Sequence, residues 1–195
     1  LPDTGHREST ELLDKKDFFS VLKSRRSIRV YNGAPVKEED MNSILDSALL
    51  APNSSNLQPW SFYWVKSDKK KEELVKACLS QPAAKTAPEL IVCMARTDTW
   101  KQNAKEMVEL LNQNESTPAA AKSYYSKLVP LAYSQGPLGL FGLLKRLSTF
   151  VMGFKQVVPR EPVSHAQMKT WAVKSTALAC KNIMLSARAL GYDSC

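Results

Sequence analysis

Hydrophobic positions recur at helical spacing in several segments of the chain. Residues 17–23 place apolar side chains on one side of a short helix, and residues 37–50 repeat them at intervals of three and four. Similar spacing predicts helices at residues 69–79, 100–111 and 119–128. Each of these helices is expected to bury one face and leave the other in water.

Two short apolar runs between these helices predict strands. Residues 60–65 are rich in aromatic side chains, and residues 90–95, which follow Ala87-Pro88, are typical of a buried strand. Residues 30–31 can begin a further strand before the Asn32-Gly33 turn. The alternation of strand and helix, taken alone, favours an α/β layer with a parallel sheet.

The last helix has the clearest sequence signals. Ser164 and Gln167 form a capping box at its start, and small or apolar residues from Met168 to Leu190 occupy nearly all of its faces before Gly191 ends it. A helix of this kind must be covered on several sides. We therefore expect it at the centre of a domain or of a dimer.

Residues 136–154 form an apolar segment that glycines and a Lys145-Arg146 pair interrupt. The segment is too interrupted to span a bilayer. Three interpretations remain open for it, namely an interface or lid element, a membrane-surface patch, or part of the core.

Length and composition favour one globular domain over residues 1–195. A chain of 195 residues with 44% hydrophobic content can bury a sizeable core. We expect residues 1–16 to form a flexible N-terminal arm and residues 97–160 to form a variable lid or insert. The cysteines lie far apart without metal-ligand spacing, so we expect no metal site and reduced, mostly buried thiols. They are Cys78, Cys93, Cys180 and Cys195.

The formal charge of +8 would attract anionic cofactors. The basic run at residues 69–71 adjoins Glu72 and Glu73, which indicates a solvated helix face, and no aromatic residues alternate with it, so we expect no nucleic-acid partner. The chain begins with no secretory pattern and holds no apolar stretch of about eighteen residues. We therefore expect a cytoplasmic protein without stable membrane insertion.

Two polar motifs are candidates for chemistry. The arginine segment, residues 25–29, offers the forked donors of Arg25, Arg26 and Arg29 together with the Ser27 hydroxyl, and these match a phosphate or a polarised carbonyl. Alone, such a cluster at a helix end is more typical of a solvated feature that complements the helix dipole. The polar loop, residues 52–59, begins and ends with proline and leaves backbone and side-chain groups free to bind a ligand.

The two motifs together resemble the nitroreductase family. The sequence R-R-S-I-R-x-Y is followed by P-V with an acidic helix and by A-P-N-S-S-N-x-Q-P-W. The resemblance continues through Thr86-Ala87-Pro88 and through the last helix to G-Y-D-S-C, and covers most of residues 18–195.

The resemblance implies an α+β fold of the nitroreductase type, with a central, mostly antiparallel sheet flanked by helices, and we prefer this architecture to the parallel sheet. It also implies a homodimer with an extensive interface and one FMN at each end of it. Such proteins transfer hydride from NAD(P)H through the flavin N5 atom to a nitroaromatic, quinone or related small acceptor, by a ping-pong mechanism. No catalytic acid, base or nucleophile is implied.

The resemblance also assigns cofactor contacts residue by residue. Arg25 and Arg26 would reach the FMN phosphate and ribityl region, Ser27 the ribityl hydroxyls or the ring edge, and Arg29 the pyrimidine N1/O2 end. The polar loop would contact the flavin of the partner subunit. Its residues are Pro52, Asn53, Ser54, Ser55 and Asn56, with Gln58 nearby.

The family continues beyond the position of Cys195 into a turn near the flavin N5, a helix, a strand and a C-terminal arm, and we expect that arm to be absent from this chain. The alternative hypothesis is therefore a non-catalytic flavin- or anion-binding module that has lost turnover with this segment. Three aromatic residues could line a substrate channel or simply pack between helices. They are Trp100, Tyr124 and Tyr125.

Overall fold

The structure is a computed structural model that describes residues 15–114 and 116–195. Helices dominate it. They are α1 (Lys15–Ser24), α2 (Glu38–Leu49), α3 (Asp68–Ala77), α4 (Pro82–Thr86), α5 (Trp100–Asn112), α6 (Ala119–Ser123), α7 (Val129–Tyr133), α8 (Leu140–Met152) and α9 (His165–Ala189). The arm predicted at residues 1–16 lies outside the described residues, apart from the first two residues of α1.

The sheet is antiparallel, as the resemblance implied. Strand β1 (Trp60–Trp64) pairs with β2 (Ile91–Ala95) so that Trp60 lies opposite Ala95 and Trp64 opposite Ile91. The parallel sheet that alternation favoured is therefore wrong. The order of elements does not determine strand direction, and the α3–α4 connection returns the chain in the opposite sense.

Three local expectations fail for identifiable reasons. Residues 30–31 form no strand, because the Tyr31 N–H donates to Thr86 Oγ1 at 3.0 Å instead of to a neighbouring strand. Strand β2 is half-buried to exposed rather than buried, since only β1 pairs with it in the described chain. The helix predicted at residues 119–128 continues to residue 133 through a π-helical turn at Tyr124–Leu128.

Helix α9 carries the core along its length. Near its C-terminal half, Trp60 of β1 packs with residues of α2 and α9, namely Ile44, Ala48, Ala179, Ile183 and Ala187, and with Ala51. Near its N-terminal half, Met168 joins a second cluster with Leu57, Trp100, Ala104, Val129 and Tyr133. One helix therefore links both halves of the core.

Both ends of α9 are capped as the sequence predicts. The Ser164 Oγ accepts the Gln167 N–H at 3.2 Å, and the Gln167 Oε1 accepts the Val163 N–H at 2.7 Å. At the other end Gly191 has φ 89°, and the Tyr192 N–H donates to the Ala187 carbonyl at 2.9 Å. This is the Schellman arrangement, which requires a residue that tolerates a left-handed backbone.

Two burial expectations change in the structure. Most of the large apolar side chains of residues 136–154 are exposed, so the interpretation as plain core is wrong for them. The four cysteines are free, but Cys78, Cys93 and Cys195 are exposed and Cys180 is half-buried. The prediction of mostly buried thiols therefore fails.

Candidate functional site

The arginine segment lies where the end of α1 meets the chain that follows α9. Ser27 forms a parallel bridge with Ser194, and the Ile28 N–H donates to the Ser194 carbonyl at 3.2 Å. The Arg26 guanidinium donates to the backbone carbonyls of Lys23 and Arg25 at 2.7 and 2.8 Å. Arg26 thus satisfies one carbonyl in the last turn of α1 and one just after the helix.

Arg25 and Arg29 form no ion pair among residues 15–114 and 116–195. Arg25 is half-buried and Arg29 is exposed. Beside them, the Ser194 Oγ is buried and has no hydrogen-bond partner in the described chain. The segment therefore combines uncompensated positive charge with an unsatisfied hydroxyl group.

A further arginine supports this corner and was not singled out from the sequence. The Arg188 Nε donates to the Ser24 Oγ at 2.9 Å, and its Nη1 donates to Asp193 Oδ1 at 3.0 Å. Arg188 thus ties the end of α9 to the end of α1. The sequence signal is a basic residue in the last turn of α9, but its partner Ser24 lies 164 residues away.

The polar loop is held by its own side chains. The Asn53 Oδ1 accepts the Gln58 N–H at 2.7 Å, and the Asn53 Nδ2 donates to the Ala51 carbonyl at 3.2 Å. Ser55, Asn56 and Gln58 have φ of 59°, 46° and 43°, in the left-handed region that non-glycine residues rarely adopt. The Asn53 side chain organises this unusual loop, in addition to any ligand contact that the resemblance implies for it.

Two tyrosines fix the first half of the loop. The Tyr133 hydroxyl donates to Ser54 Oγ at 3.0 Å, and the Ser55 Oγ lies 2.6 Å from the Tyr124 hydroxyl. Tyr133 is only 5% exposed, and it was missed because its partners lie about 80 positions earlier in the chain. Burial raises the pKa of the adjacent Tyr125, helped by the hydroxyls of Tyr124 and Tyr133.

A cavity of about 570 Å³ opens beside the polar loop. Asn56 and Gln58 line it from the loop, with Asn103, Glu106 and Met107 among the lining residues from α5. Trp60 and Thr99 also line the cavity, and the Trp60 Nε1 and the Thr99 hydroxyl are buried without hydrogen-bond partners in the described chain. Polar atoms of this kind are normally satisfied by water or by a ligand.

A second cavity of about 670 Å³ lies on another face of α5. Trp100 and Tyr125 line it, whereas Tyr124 does not, and Trp100 also packs in the second core cluster. None of the predicted cofactor contacts belongs to this cavity. The cavity is thus separate from both polar motifs.

The two motifs are brought to different places along α9. The arginine segment contacts Ser194, which follows the end of α9. The polar loop contacts the middle of α9, where the Thr176 hydroxyl donates to the Pro59 carbonyl at 3.2 Å. Twelve residues separate Thr176 from Arg188, which is about 18 Å along a helix. No hydrogen bond joins the two motifs in the part of the chain that the structure describes.

The described residues contain no group of three or more His, Cys, Asp or Glu side chains that could hold a metal ion. None of the described helices has both the length and the apolar character needed to cross a membrane.

Comparison with known proteins gives consistent matches. YdgI of Bacillus subtilis, a proposed NAD(P)H nitroreductase, is 29% identical over 188 residues, which covers 94% of this chain and 75% of the relative. The crystal structure of YdfN from Bacillus subtilis, a proposed nitroreductase, superposes with a TM-score of 0.67 at 21% identity, covering 92% of this chain and 74% of the other.

A proposed nitroreductase of Exiguobacterium sibiricum, solved in complex with FMN, superposes with a TM-score of 0.56 at 24% identity, covering 95% of this chain and 75% of the other. At these identities the structures establish a shared fold. Residues 22–195 match the sequence model of the Nitroreductase family. Since that match spans most of the chain and includes both polar motifs, the chain belongs to the nitroreductase family.

Proposed function

We propose that the protein is an FMN-dependent oxidoreductase that uses NAD(P)H to reduce a nitroaromatic, quinone or related small acceptor. The observation that carries this proposal is the arginine segment, in which Arg25 and Arg29 have no ion-pair partner in the described chain. Family membership and the relatives that are named for NAD(P)H or solved with FMN support the same conclusion.

The residues of the arginine segment fit the phosphate end of FMN. Guanidinium groups donate two parallel hydrogen bonds to phosphate oxygens, and such charge-assisted bonds are about twice as strong as neutral ones. Arg25 and Arg26 would bind the phosphate and ribityl chain, and the hydroxyl of Ser27 would bind next to them. The buried Ser194 Oγ, which lacks a partner in the described chain, offers one more polar atom at the same place.

When bound, FMN supplies hydride transfer at its N5 atom, first from NAD(P)H and then to the acceptor, in ping-pong order. The task of the chain is to bind the cofactor and to stabilise charge. Arg29 would hold a fixed cation at the pyrimidine N1/O2 edge, where negative charge increases on reduction. The charge at this edge would then be compensated without a proton from a side chain at this position.

The polar loop would serve the flavin of the partner subunit. Asn53 holds the loop closed by accepting the Gln58 N–H, and Ser55, Asn56 and Gln58 adopt a left-handed backbone. Asn56 and Gln58 line a cavity of about 570 Å³. Pro52 and the serines complete the loop that the family uses for this contact, while Tyr133 keeps Ser54 in place.

The distance between the two motifs supports a homodimer. About 18 Å of α9 separates their attachment points, so a site that needs both motifs is more readily built from two chains than from one. Apolar residues on the outer side of α9, including Val173 and Leu178, remain about half exposed in the single chain. A second protomer would cover them.

The first experiment is the visible absorbance spectrum of the desalted protein, followed by anaerobic addition of NADPH and then NADH. Flavin bands that bleach would support the enzyme and identify the preferred donor. Flavin that stays oxidised would favour the non-catalytic flavin- or anion-binding module. A colourless protein that cannot be loaded with FMN would contradict flavin binding under either hypothesis.

The contribution of the arginine segment can be measured by titrating FMN fluorescence with the protein. Loss of a hydrogen bond to a charged group lowers affinity by about ten- to a hundred-fold, so Arg25→Ala should raise the Kd for FMN by that factor. Arg146→Ala, which removes an exposed arginine of α8, is the matched control and should leave the Kd unchanged. Equal affinities for all three proteins would exclude the segment from the phosphate site.

A further inference from the structure

Helix α8 presents an apolar face to the solvent. Leu143, Leu147 and Phe150 are 62%, 62% and 55% exposed, and they follow one another at helical spacing. The same outer surface continues before, along and after the helix. Its other members are Leu138, Leu140, Leu144, Val151, Met152 and Phe154.

Contacts on the inner side fix this orientation. The Lys145 ammonium turns inward and donates to the carbonyls of Ala132 and Pro162 at 2.7 and 3.1 Å. Gly142 is buried under Val163, where a side chain would overlap the Val163 carbonyl oxygen. The helix thus directs its lysine toward the protein and its leucines outward, the reverse of a surface helix in a water-exposed protein.

The chain segment that carries this face holds charge of one sign. From Ser116 to Arg160 the sequence contains six Lys and Arg residues and no Asp or Glu. Arg146 and Lys155 are exposed, and Arg160 reaches the end of α8, with its Nη2 2.9 Å from the place a Gly153 Cβ would occupy. None of these three cations forms an ion pair in the described chain.

We propose that α8 docks in the plane of a membrane surface that contains anionic lipid. Leucine and phenylalanine side chains at interfacial helices enter the boundary between headgroups and acyl chains, and adjacent cations bind lipid phosphates. At 13 residues, α8 is long enough to lie along the surface and too short to cross it. The association is therefore peripheral and reversible.

Charge distinguishes this occupant from a second copy of the chain. A symmetric contact would bring the same patch of each protomer together, so that Arg146 and Lys155 of both copies would lie in one interface. An anionic lipid surface instead compensates these cations, and each one near such a surface adds favourable attraction. The proposal is independent of flavin binding.

The test is flotation of the full chain with vesicles of phosphatidylcholine alone or with phosphatidylglycerol added. We expect binding to the anionic vesicles that weakens at high salt. The triple variant Leu143→Ser, Leu147→Ser, Phe150→Ser should bind at least about ten-fold more weakly, because it removes three large apolar side chains from the contact. The double variant Arg146→Gln, Lys155→Gln should lose the preference for phosphatidylglycerol.

Leu79→Ser is the matched control, because Leu79 is 83% exposed and lies outside α8. It should float as the unaltered protein does, and circular dichroism should verify that every variant is folded. Two outcomes would overturn the proposal. The first is flotation that is absent for the unaltered protein or that the folded triple variant retains. The second is a lower molecular mass in solution for the triple variant than for the unaltered protein, measured without lipid, which would identify a second copy as the occupant.

Discussion

Gly142 and Lys145 determine which way α8 faces. Gly142 allows the helix to approach the Val163 carbonyl, and Lys145 donates to two backbone carbonyls on the same side. Burial lowers the pKa of Lys145, so the inward position has an electrostatic cost, and the two backbone carbonyls satisfy the ammonium donors there. Two residues thus set the orientation of thirteen.

Gly142→Ala should therefore destabilise the fold. The added methyl group would overlap the Val163 carbonyl oxygen and lie 2.6 Å from Gln135 Oε1, and overpacking of this kind costs about 1–3 kcal/mol. Urea unfolding followed by circular dichroism measures the change. Ser148→Ala, on the exposed side of the same helix, should change stability by no more than about 0.5 kcal/mol. Equal midpoints for the two variants would show that the helix moves away without cost.

Cys93 should react more slowly with alkylating reagents than Cys78, although both residues are exposed. Desolvation of its sulfur, together with the adjacent Cys180, raises the pKa of Cys93 to about 12. At pH 8 its thiolate fraction is then on the order of 10⁻⁴, and alkylation requires the thiolate. The pKa of Cys93 is higher in the folded state than its ordinary value of 9.0. The contribution of the protonated thiol to the free energy of unfolding is therefore complete below pH 9.0 and is lost as the pH rises toward 12.

Iodoacetamide labelling at pH 8 with peptide mass spectrometry tests this expectation. Cys78, which is exposed at the end of α3, is the internal reference and should be modified first. Modification of Cys93 at the rate of Cys78 would contradict the raised pKa.

At the level of elements, α9 owes its length to strong local signals at both ends. The capping box and Gly191 are short-range features, and for this reason the sequence predicts the helix well. The sequence also predicts α2, α5 and the positions of both strands, although not the relative direction of the strands. Helix α4 was not predicted, because five residues are too few for a periodic pattern.

Ser164→Ala should weaken the start of α9 by about 1 kcal/mol, because the Gln167 N–H would lose its acceptor. Gln167→Ala removes the reciprocal bond to Val163, and the double variant should cost less than the two single changes combined, since one motif is being removed. Chemical denaturation gives all three values. Thr170→Ala, an exposed substitution within the same helix, serves as the reference; strict additivity of the pair would argue against a coupled cap.

At the scale of the whole molecule, the candidate site illustrates what sequence can and cannot predict. Arg25, Ser27 and the loop residues are local motifs, so their chemistry is visible in the sequence. Arg188 and Tyr133 support those motifs through contacts that only the fold creates. The order of hydrophobic and polar residues also could not predict that the two motifs contact α9 at widely separated points.

Subunit complementation should test the two-chain site directly. Arg25→Ala disables the arginine segment, and Asn53→Ala opens the polar loop, so each homodimer should bind FMN poorly. Unfolding and refolding an equal mixture should restore about a quarter of the wild-type sites, since half of the dimers are mixed and each mixed dimer has one intact site. Recovery of no flavin binding, with dimers still forming, would show that both motifs serve the same chain's cofactor.

Helix α9 contacts the polar loop at Thr176 and the end of α1, next to the arginine segment, at Arg188. The helix therefore fixes both the distance between the two motifs and their relative rotation around its axis. Inserting one residue between these points would shift the arginine segment by about 1.5 Å and rotate it by about 100° around the helix. Four inserted residues would nearly restore the rotation but lengthen the spacer by about 6 Å. Insertions and deletions should therefore be tolerated in the surface loops of this protein but not in this part of α9.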